Sequence, residues 1–401
     1  MGKILLLGGD ADANVGDTAI LKSLYQCIGR VRPGAQVCVL SNRTDFGELL
    51  AGGSDGARAE LCVLPRGPGG FASLVRAAPA QNLIMVGGGG LFQDDDSRIK
   101  MPYWAARIAM LRALNARIVG HSLGAGPLKH AESRSCARMA CGALRSVSVR
   151  DRFAQRWLSG SIGREVGVVP DPAFMLEPAS AESARALVRS LGLAPGRPII
   201  GVALRRWFHR RGGFIPHRVR AGAGLDRGEG RAQMATLRAD VARALQTLSR
   251  RLDASVLLMP SYHAEHEGDT RECSQLLSQL QGVDARMAAI TDPSLYKAVA
   301  GLTTVMISAR MHPLILAASM GVPIVGLAYN GKFEGLFDLL GRRSGMSWME
   351  YAGCALGGPA RDLEALTESA LAEPNRLRER CDELAARTTA STCELVKEAT
   401  A

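Results

Sequence analysis

Short apolar runs alternate with amphipathic segments along the chain, which is the pattern of parallel α/β units. In the first half, the apolar runs predict strands and the segments between them predict helices. The strands are predicted near 3–8, 36–40, 82–86, 116–120, 145–149 and 165–169, and the helices near 18–30, 101–114, 132–142 and 151–158.

The alternation of apolar runs and helical segments is interrupted at 177–197, which we interpret as a linker that includes a helix, and it resumes after residue 197. We predict an α/β fold in which two Rossmann-like domains, 1–176 and 198–360, face a cleft, with a helical tail at 361–401. Ligands of such sheets bind beyond the carboxyl ends of the strands. In the second half, strands are predicted near 198–204, 254–260, 303–308 and 322–328, and helices near 232–252, 269–281, 293–300 and 313–320.

The composition narrows the class of protein. Hydrophobic residues make up 47% and charged residues 22%, which excludes a disordered chain, and 5% aromatic residues argue against a stacking platform for single-stranded nucleic acid. The net charge of +11 indicates an acidic partner such as a phosphate, a nucleic acid or an anionic membrane, but a genome that favours Arg explains it equally well. Nine cysteines without a CxxC pair, and an initial apolar run too short for a signal peptide, predict a cytoplasmic protein.

The segment 303–327 (TTVMISARMHPLILAASMGVPIVGL) carries the clearest functional signal. It reads as a strand, a helix and a second strand, and Pro313 suits the first helical position, which would place His312 at the cap. Arg310 and the imidazole would then stand at the positive end of a helix, where anions bind. The segment predicts an anion site with a titratable group, and the alternative is a capping His beside a surface Arg.

A glycine-rich loop follows the first predicted strand, in GGDADANVGDTAIL at 8–21. It lacks the GxGxxG fingerprint of dinucleotide-binding proteins, and we expect Asp17 to cap the next helix. The loop would allow the backbone to approach a ligand closely. The alternative is an ordinary tight turn between a strand and a helix.

A second glycine-rich loop, GGGGLFQDDDS, lies at 87–97. Its glycines, Gly89 among them, expose amides and permit positive φ, and Gln93 and Asp94 follow directly. The acidic run that starts at Asp94 could hold a hard cation. We favour a solvated loop with a single working carboxylate.

Cations also follow the predicted strands. Arg150 stands at the end of 145–149, where it can reach the cleft, and the alternative is a surface ion pair with Asp151. Eight arginines, beginning with Arg205, lie within 205–231. Such a basic segment beside the cleft suits binding of a diphosphate or a membrane surface, and the alternative is a disordered insert. The histidines and acids of 259–269 lack a third dedicated ligand, so we do not predict a metal there.

Taken together, these motifs resemble the polysaccharide pyruvyl transferase family. The order and spacing of the motifs match from about residue 3 to about residue 345. The matching stretches are Gly16–Leu21, Gly87–Asp94, the turn at Gly126 and Pro127, and the segments 149–151, 170–174 and 308–326.

The resemblance implies a fold similar to the two-domain glycosyltransferase B type, phosphoenolpyruvate as donor, and release of phosphate. Members of the bacterial cell-wall branch, which is the most similar, place a pyruvate ketal on an N-acetylmannosamine unit of a lipid-linked precursor. The donor-binding Arg and His of the family correspond to Arg150 and His312, and the neighbouring Arg to Arg310. The chain departs from the family at Asp10 and Asp12, where an aromatic residue or Gly is frequent, and this leaves the acceptor open.

From the chemistry and the resemblance we assign acid–base work to His312, and activation of the acceptor hydroxyl to Asp94. We expect no metal and no cofactor, only phosphoenolpyruvate and a lipid-linked or polysaccharide sugar acceptor. Peripheral contact with the inner membrane surface and a homo-oligomer are compatible with the sequence, and nucleic acid is not expected. The predicted substrate-binding residues are Arg150, Arg310, Arg205, Asp17, Gly89 and Gln93.

Two alternatives belong to other classes. One is a glycosyltransferase that uses a nucleotide sugar on the same architecture. The other is a non-catalytic protein that binds nucleic acid or a membrane through its charge, in which case His312 would have no effect on function.

Overall fold

The computed structural model contains two parallel β-sheets, each flanked by helices, so the predicted α/β fold is confirmed. It describes residues 2–51, 59–95, 97–115, 117–207, 213–215, 219–220, 223, 230–341, 348–350, 359–372 and 376–400.

In the described part of the chain, the first sheet has seven parallel strands in the order β3-β2-β1-β4-β5-β6-β7. Its central strands are almost wholly apolar because helices cover both faces. The strands are β1 (Lys3–Leu7), β2 (Gln36–Leu40), β3 (Glu60–Leu64), β4 (Leu83–Gly87), β5 (Ile118–Leu123), β6 (Val147–Val149) and β7 (Gly167–Val168). The helices are α1 (Val15–Val31), α2 (Phe46–Ala51), α3 (Pro68–Ala77), α4 (Lys100–Leu114), α5 (Ala131–Ala143) and α6 (Arg152–Ile162).

After α7 (Ala181–Ser190), the described residues form a second sheet of six parallel strands in the order β10-β9-β8-β11-β12-β13. Its strands are β8 (Ile199–Ala203), β9 (Ser255–Leu258), β10 (Ala285–Met287), β11 (Val305–Ser308), β12 (Ile324–Ala328) and β13 (Trp348–Glu350). Its helices are α8 (Arg231–Leu252), α9 (Asp269–Leu277), α10 (Pro293–Ala300), α11 (Met311–Ala318) and α12 (Lys332–Leu339).

Helix α1 joins the two units and is buried along most of its length. It packs against α10 and α11 of the second unit, and its Lys22, which is only 1% exposed, donates to Asp292 at 3.2 Å. Helix α1 therefore lies at the boundary between the two units.

The two C-terminal helices cover different units. Helix α13 (Pro359–Ala372) packs against α8, whereas α14 (Leu377–Thr400) crosses to the first unit and packs against α1 and the 3-10 turn Pro172–Met175. None of the helices in the described part of the chain has the length and apolar character that a membrane span requires.

Several element predictions were incomplete. The sequence pattern did not indicate β3, β10 and β13, which are edge strands of three to five residues. The predicted start of α11 at Pro313 was wrong, because the helix begins at Met311 with Arg310 as its N-cap. Ser308 Oγ accepts from Arg310 N at 2.9 Å and so closes the preceding turn. Pro313 is tolerated at the third helical position because the first-turn amides have no partner within the helix.

The buried His121 on β5 links the first sheet to α14. One of its ring nitrogens, Nε2, lies 3.0 Å from Thr392 Oγ1, and burial lowers the pKa of His121 to about 4. The structure therefore gives His121 a role in packing.

We expect this histidine to make stability fall in acid. An unfolded His titrates near pH 6.5, so the unfolded chain takes up a proton first, and stability is lost as pH falls from about 6.5 towards 4. His121→Asn should show a smaller drop in melting temperature between about pH 7 and about pH 4.5 than the unaltered protein. An identical drop in both proteins would contradict this role.

Candidate active site

A cavity of about 340 Å³, here called the central pocket, lies where the carboxyl ends of the two sheets face each other. Its walls are the loops that follow β1, β4 and β6 in the first unit, and β8, β9, β11 and β12 in the second. Six of the predicted site residues line it: Arg150, Arg310, Arg205, Asp17, Gly89 and Gln93. His312 lines it as well.

His312 occupies the second position of α11, so the prediction that it is the cap residue was wrong. Its Nε2 atom lies 3.6 Å from Asp171 Oδ2 and has no hydrogen-bond partner among the described residues. The ring packs so closely on the first turn of α1 that a Cβ on Gly16 would lie 2.0 Å from Nδ1. The imidazole is thus fixed in position on the pocket wall, between Asp171 and the first turn of α1.

Asp17 faces His312 from α1. Asn14 caps this helix through Gly16 N at 3.0 Å, so the prediction that Asp17 is the cap was also wrong. The Asp17 carboxylate instead accepts from Asp10 N at 2.8 Å and Asn14 Nδ2 at 2.9 Å. Burial raises the pKa of Asp17, and the nearby His312 offsets part of this effect.

Two glycines make room for that carboxylate. A Cβ on Gly9 would lie 2.4 Å from Asp17 Oδ2, and a Cβ on Gly89 would lie 2.7 Å from Oδ1. Gly88 and Gly89 have φ of 70° and 73°, which confirms the predicted positive φ in this loop. The loop after β4 therefore wraps around Asp17 as well as lining the pocket.

Arg150 is held by two buried carboxylates. Its Nε lies 3.2 Å from Asp151 Oδ2, and its Nη1 lies 3.3 Å from Asp171 Oδ2. Asp151 also caps α6 by accepting from Ala154 N at 2.7 Å. Burial opposes ionisation of Asp171, but His312 and Arg150 outweigh it and lower its pKa. One carboxylate thus orients both the Arg and the His.

Arg310 forms a two-pronged ion pair with Asp269, at 2.9 Å and 2.5 Å, and a third contact with Glu267 at 3.0 Å. Burial opposes its charge, but these acids outweigh burial and raise its pKa. The acids of the segment 259–269 are therefore partners of Arg310. The neighbouring His263 bonds to the Ile290 carbonyl at 3.0 Å.

Arg205 stacks on aromatic rings. Its guanidinium lies 4.4 Å from the ring centre of Tyr329 and 5.0 Å from that of Trp207, and it pairs with Glu267 at 3.6 Å. Burial of Tyr329 opposes ionisation, yet Arg205, Lys332 and Arg310 together lower its pKa. The Tyr329 hydroxyl thus lies in a strongly cationic wall.

Lys332 is a pocket residue that the sequence analysis missed. Its ammonium, on the second unit, donates to Gln93 Oε1 and lies 3.9 Å from Asp95 Oδ2, both on the first unit. Asn330 Nδ2 also donates to Asp95 at 3.3 Å. The signal was present in the sequence, since Lys332 follows a predicted strand at the same edge as Arg310.

Asp94 does not line the pocket, and its proposed role at the acceptor hydroxyl is therefore corrected. It is 1% exposed and accepts from Lys129 N at 3.1 Å, His130 N at 2.9 Å and His130 Nδ1 at 3.0 Å. Burial raises its pKa, but these hydrogen bonds outweigh burial and lower it. Its carboxylate fixes the chain ahead of α5, and its neighbours Gln93 and Asp95 face the pocket instead.

Two further predictions concern residues that are largely not described. Asp96 and most of the arginine-rich segment 205–231 lie outside the described residues. Within those that are described, no group of three or more His, Cys, Asp or Glu side chains is arranged to hold a metal ion. That no metal is needed stays a prediction.

The whole architecture resembles solved enzymes with two facing α/β domains. The structure of UDP-GlcNAc 2-epimerase from Methanocaldococcus jannaschii matches with a TM-score of 0.60 at 10% identity, covering 98% of each chain. UDP-GlcNAc 2-epimerase from Neisseria meningitidis bound to UDP-GlcNAc matches at 0.56 and 10% identity, covering 100% of this chain and 99% of that one. Anabaena HepE in complex with UDP-glucose matches at 0.55 and 16% identity, covering 99% of each chain.

At these identities, the likeness shows the fold alone, which is of the glycosyltransferase B type. A search of curated proteins gave no significant match. A family model described as polysaccharide pyruvyl transferase matches residues 14–331, which is most of the chain. The protein therefore belongs to the polysaccharide pyruvyl transferase family, as the motifs predicted.

The contact between Gly16 and His312 generates a prediction. Gly→Ala inside a helix normally stabilises it by about 0.5–1 kcal/mol. At Gly16 the added methyl would overlap the imidazole, so Gly16→Ala should displace His312 and lower turnover by about 10²-fold. The control is Gly160→Ala in α6, where a Cβ would meet nothing within 4 Å and turnover should be unchanged. Normal turnover in Gly16→Ala would show that catalysis does not depend on the close contact between Gly16 and His312.

Proposed function

We propose that the protein transfers a pyruvyl group from phosphoenolpyruvate to two hydroxyls of a cell-surface polysaccharide precursor sugar, forming a pyruvate ketal and releasing phosphate. The observation that carries this proposal is His312, fixed on the wall of a cation-lined pocket between Asp171 and the first turn of α1. Membership of the polysaccharide pyruvyl transferase family supports the reaction class.

The charge of the pocket suits a multiply anionic donor. Among the described residues, seven Lys or Arg and four Asp or Glu line it. Arg150, Arg310 and Lys332 can neutralise the phosphate and the carboxylate of phosphoenolpyruvate. The carboxylates that hold these arginines fix their geometry before the donor binds, which reduces the reorganisation needed at the transition state.

The chemistry requires proton transfer in both directions. The first sugar hydroxyl adds to C2 of the donor and loses its proton, while the methylene carbon C3 gains one and becomes a methyl group. The second hydroxyl then bonds to C2, the C2–O bond to phosphate breaks, and the released proton leaves with the phosphate. His312 and Asp17, which line the same pocket and interact electrostatically, are the groups that we propose hold and deliver these protons.

The proposed acceptor is lipid-linked or polysaccharide-bound, and the surface beside the pocket supports peripheral contact with the inner membrane face. Ile99, Phe214 and Ile215 are apolar and exposed on this surface. Arg98 lies 4.3 Å from the ring centre of Phe214, and Ser97 Oγ donates to the Phe214 carbonyl at 3.0 Å. Apolar side chains beside cations suit an anionic lipid surface.

The first test compares His312→Gln with the unaltered protein. We expect phosphate release from phosphoenolpyruvate to depend on an added sugar acceptor, and to fall by about 10²–10⁴-fold in the variant, because Gln cannot carry the proton. Melting temperatures should stay close, because Gln remains polar. Near-normal turnover in the variant, or turnover with a UDP-sugar in place of phosphoenolpyruvate, would refute the proposal.

The second test concerns metal. The cationic side chains of the pocket supply the charge that Mg²⁺ provides in many phosphate enzymes, so we expect full activity in excess chelator. Activity that is lost in chelator and restored by Mg²⁺ would contradict this expectation and would direct attention to Asp95 and its acidic neighbours.

A further inference from the structure

A second cavity of about 660 Å³, here called the side chamber, adjoins the central pocket. Its walls come mainly from the loops after β1, β2 and β3 and from α4 of the first unit, and Ala264 and His266 of the second unit complete them. Gly9, Asp10 and Arg66 line both cavities, so the two spaces meet at this border. Its volume falls in the range of about 300–1,000 Å³ that is usual for small-molecule sites.

The charges of the side chamber are balanced, unlike those of the central pocket. Asp10 and Asp12 pair with Arg66, whose Nη1 lies 2.6 Å and 3.6 Å from their oxygens. Among the described lining residues, Arg107 is the other Arg or Lys, so two acids face two arginines. A polar lining without net charge suits an uncharged ligand that is rich in hydroxyls better than it suits a second phosphate compound.

Two aromatic side chains stand in the same walls. Tyr103 is 53% exposed and Phe71 is 54% exposed, although large aromatic residues are usually buried. A sugar ring has apolar C–H faces that pack on such rings, and hydroxyl edges that bond to carboxylates and amides. Asp12 and Asn42 lie in the walls. Asp12 accepts from Asn42 N at 3.2 Å and Asn42 Oδ1 accepts from Arg66 N at 2.8 Å, and the carboxylate has further lone pairs and the amide further donors for such edges.

The border between the side chamber and the central pocket lies beside the residues that we propose transfer protons. Asp10 N donates to Asp17 at 2.8 Å, and the Asp10 carboxylate accepts from Tyr262 OH at 2.7 Å on the second unit. A ligand that reaches from the chamber past Asp10 therefore arrives at Asp17 and His312.

We propose that the side chamber binds the acceptor sugar, with Tyr103 and Phe71 packed on its ring and Asp12, Asn42 and Arg66 bonded to hydroxyls that do not react. The carboxylates of Asp10 and Asp12 lie in the chamber walls, where they are placed to contact the sugar. This inference rests on the proposed function, because it presupposes a sugar acceptor.

The binding test needs no turnover. Saturation-transfer NMR with the methyl glycoside of N-acetylmannosamine should show transfer to the sugar-ring protons in the unaltered protein, and about tenfold weaker binding in Tyr103→Ala and Phe71→Ala. Both residues are exposed, so the variants should fold. Met139→Ala is the control, because Met139 is 55% exposed on α5 and lines neither cavity. Absence of transfer in the unaltered protein, or equal binding in all four proteins, would overturn the inference.

A second measurement separates this inference from the proposed function. Phe71 lines the side chamber and not the central pocket, so binding of phosphoenolpyruvate, followed by its phosphorus signal, should be the same in Phe71→Ala as in the unaltered protein. Loss of donor binding in Phe71→Ala would assign the chamber to the donor and overturn the inference. Failure of the unaltered protein to bind phosphoenolpyruvate would instead count against the proposed function, while the sugar-binding result would still decide the chamber.

Discussion

The close contact between the first turn of α1 and the imidazole of His312 is the constraint on which the candidate site depends. Gly16 leaves just enough room for the ring, and Asp17, one residue further, faces it. Since α1 follows the first strand of one sheet and His312 follows β11 of the other, this contact fixes how the two units meet. Asp171, at the end of the first unit, completes the arrangement at 3.6 Å from Nε2.

The arginines of the site follow a common design. Arg150 and Arg310 are each held by carboxylates that are themselves buried. Buried ion pairs add little stability, because desolvation of both charges offsets their attraction. Their consequence here is geometric: each guanidinium is held in one orientation at the pocket wall. A site that binds a small, multiply charged molecule benefits from such fixed positions more than from flexible cations.

Much of the fold and of the candidate site could be predicted from the sequence. The alternation of apolar runs predicted both sheets, and the residues placed at strand ends, such as Arg150 and Arg310, do line the pocket. Short edge strands such as β3 were missed because three to five residues of mixed polarity carry a weak pattern. Asp94 was assigned to the pocket because neighbouring residues in a loop cannot be told apart without knowing which way each side chain turns.

The sequence by itself determined most of the strands and helices and their order, the family, and the edge at which functional residues collect, because these depend on local patterns and on motifs of fixed spacing. Only the tertiary structure decided which side chains meet across the two sheets. The contact of Gly16 with His312, the bond from Lys332 to Gln93, and the chamber beside Asp10 join residues from distant strand ends. Such contacts depend on how the two units pack together, and a local sequence pattern carries no information about that packing.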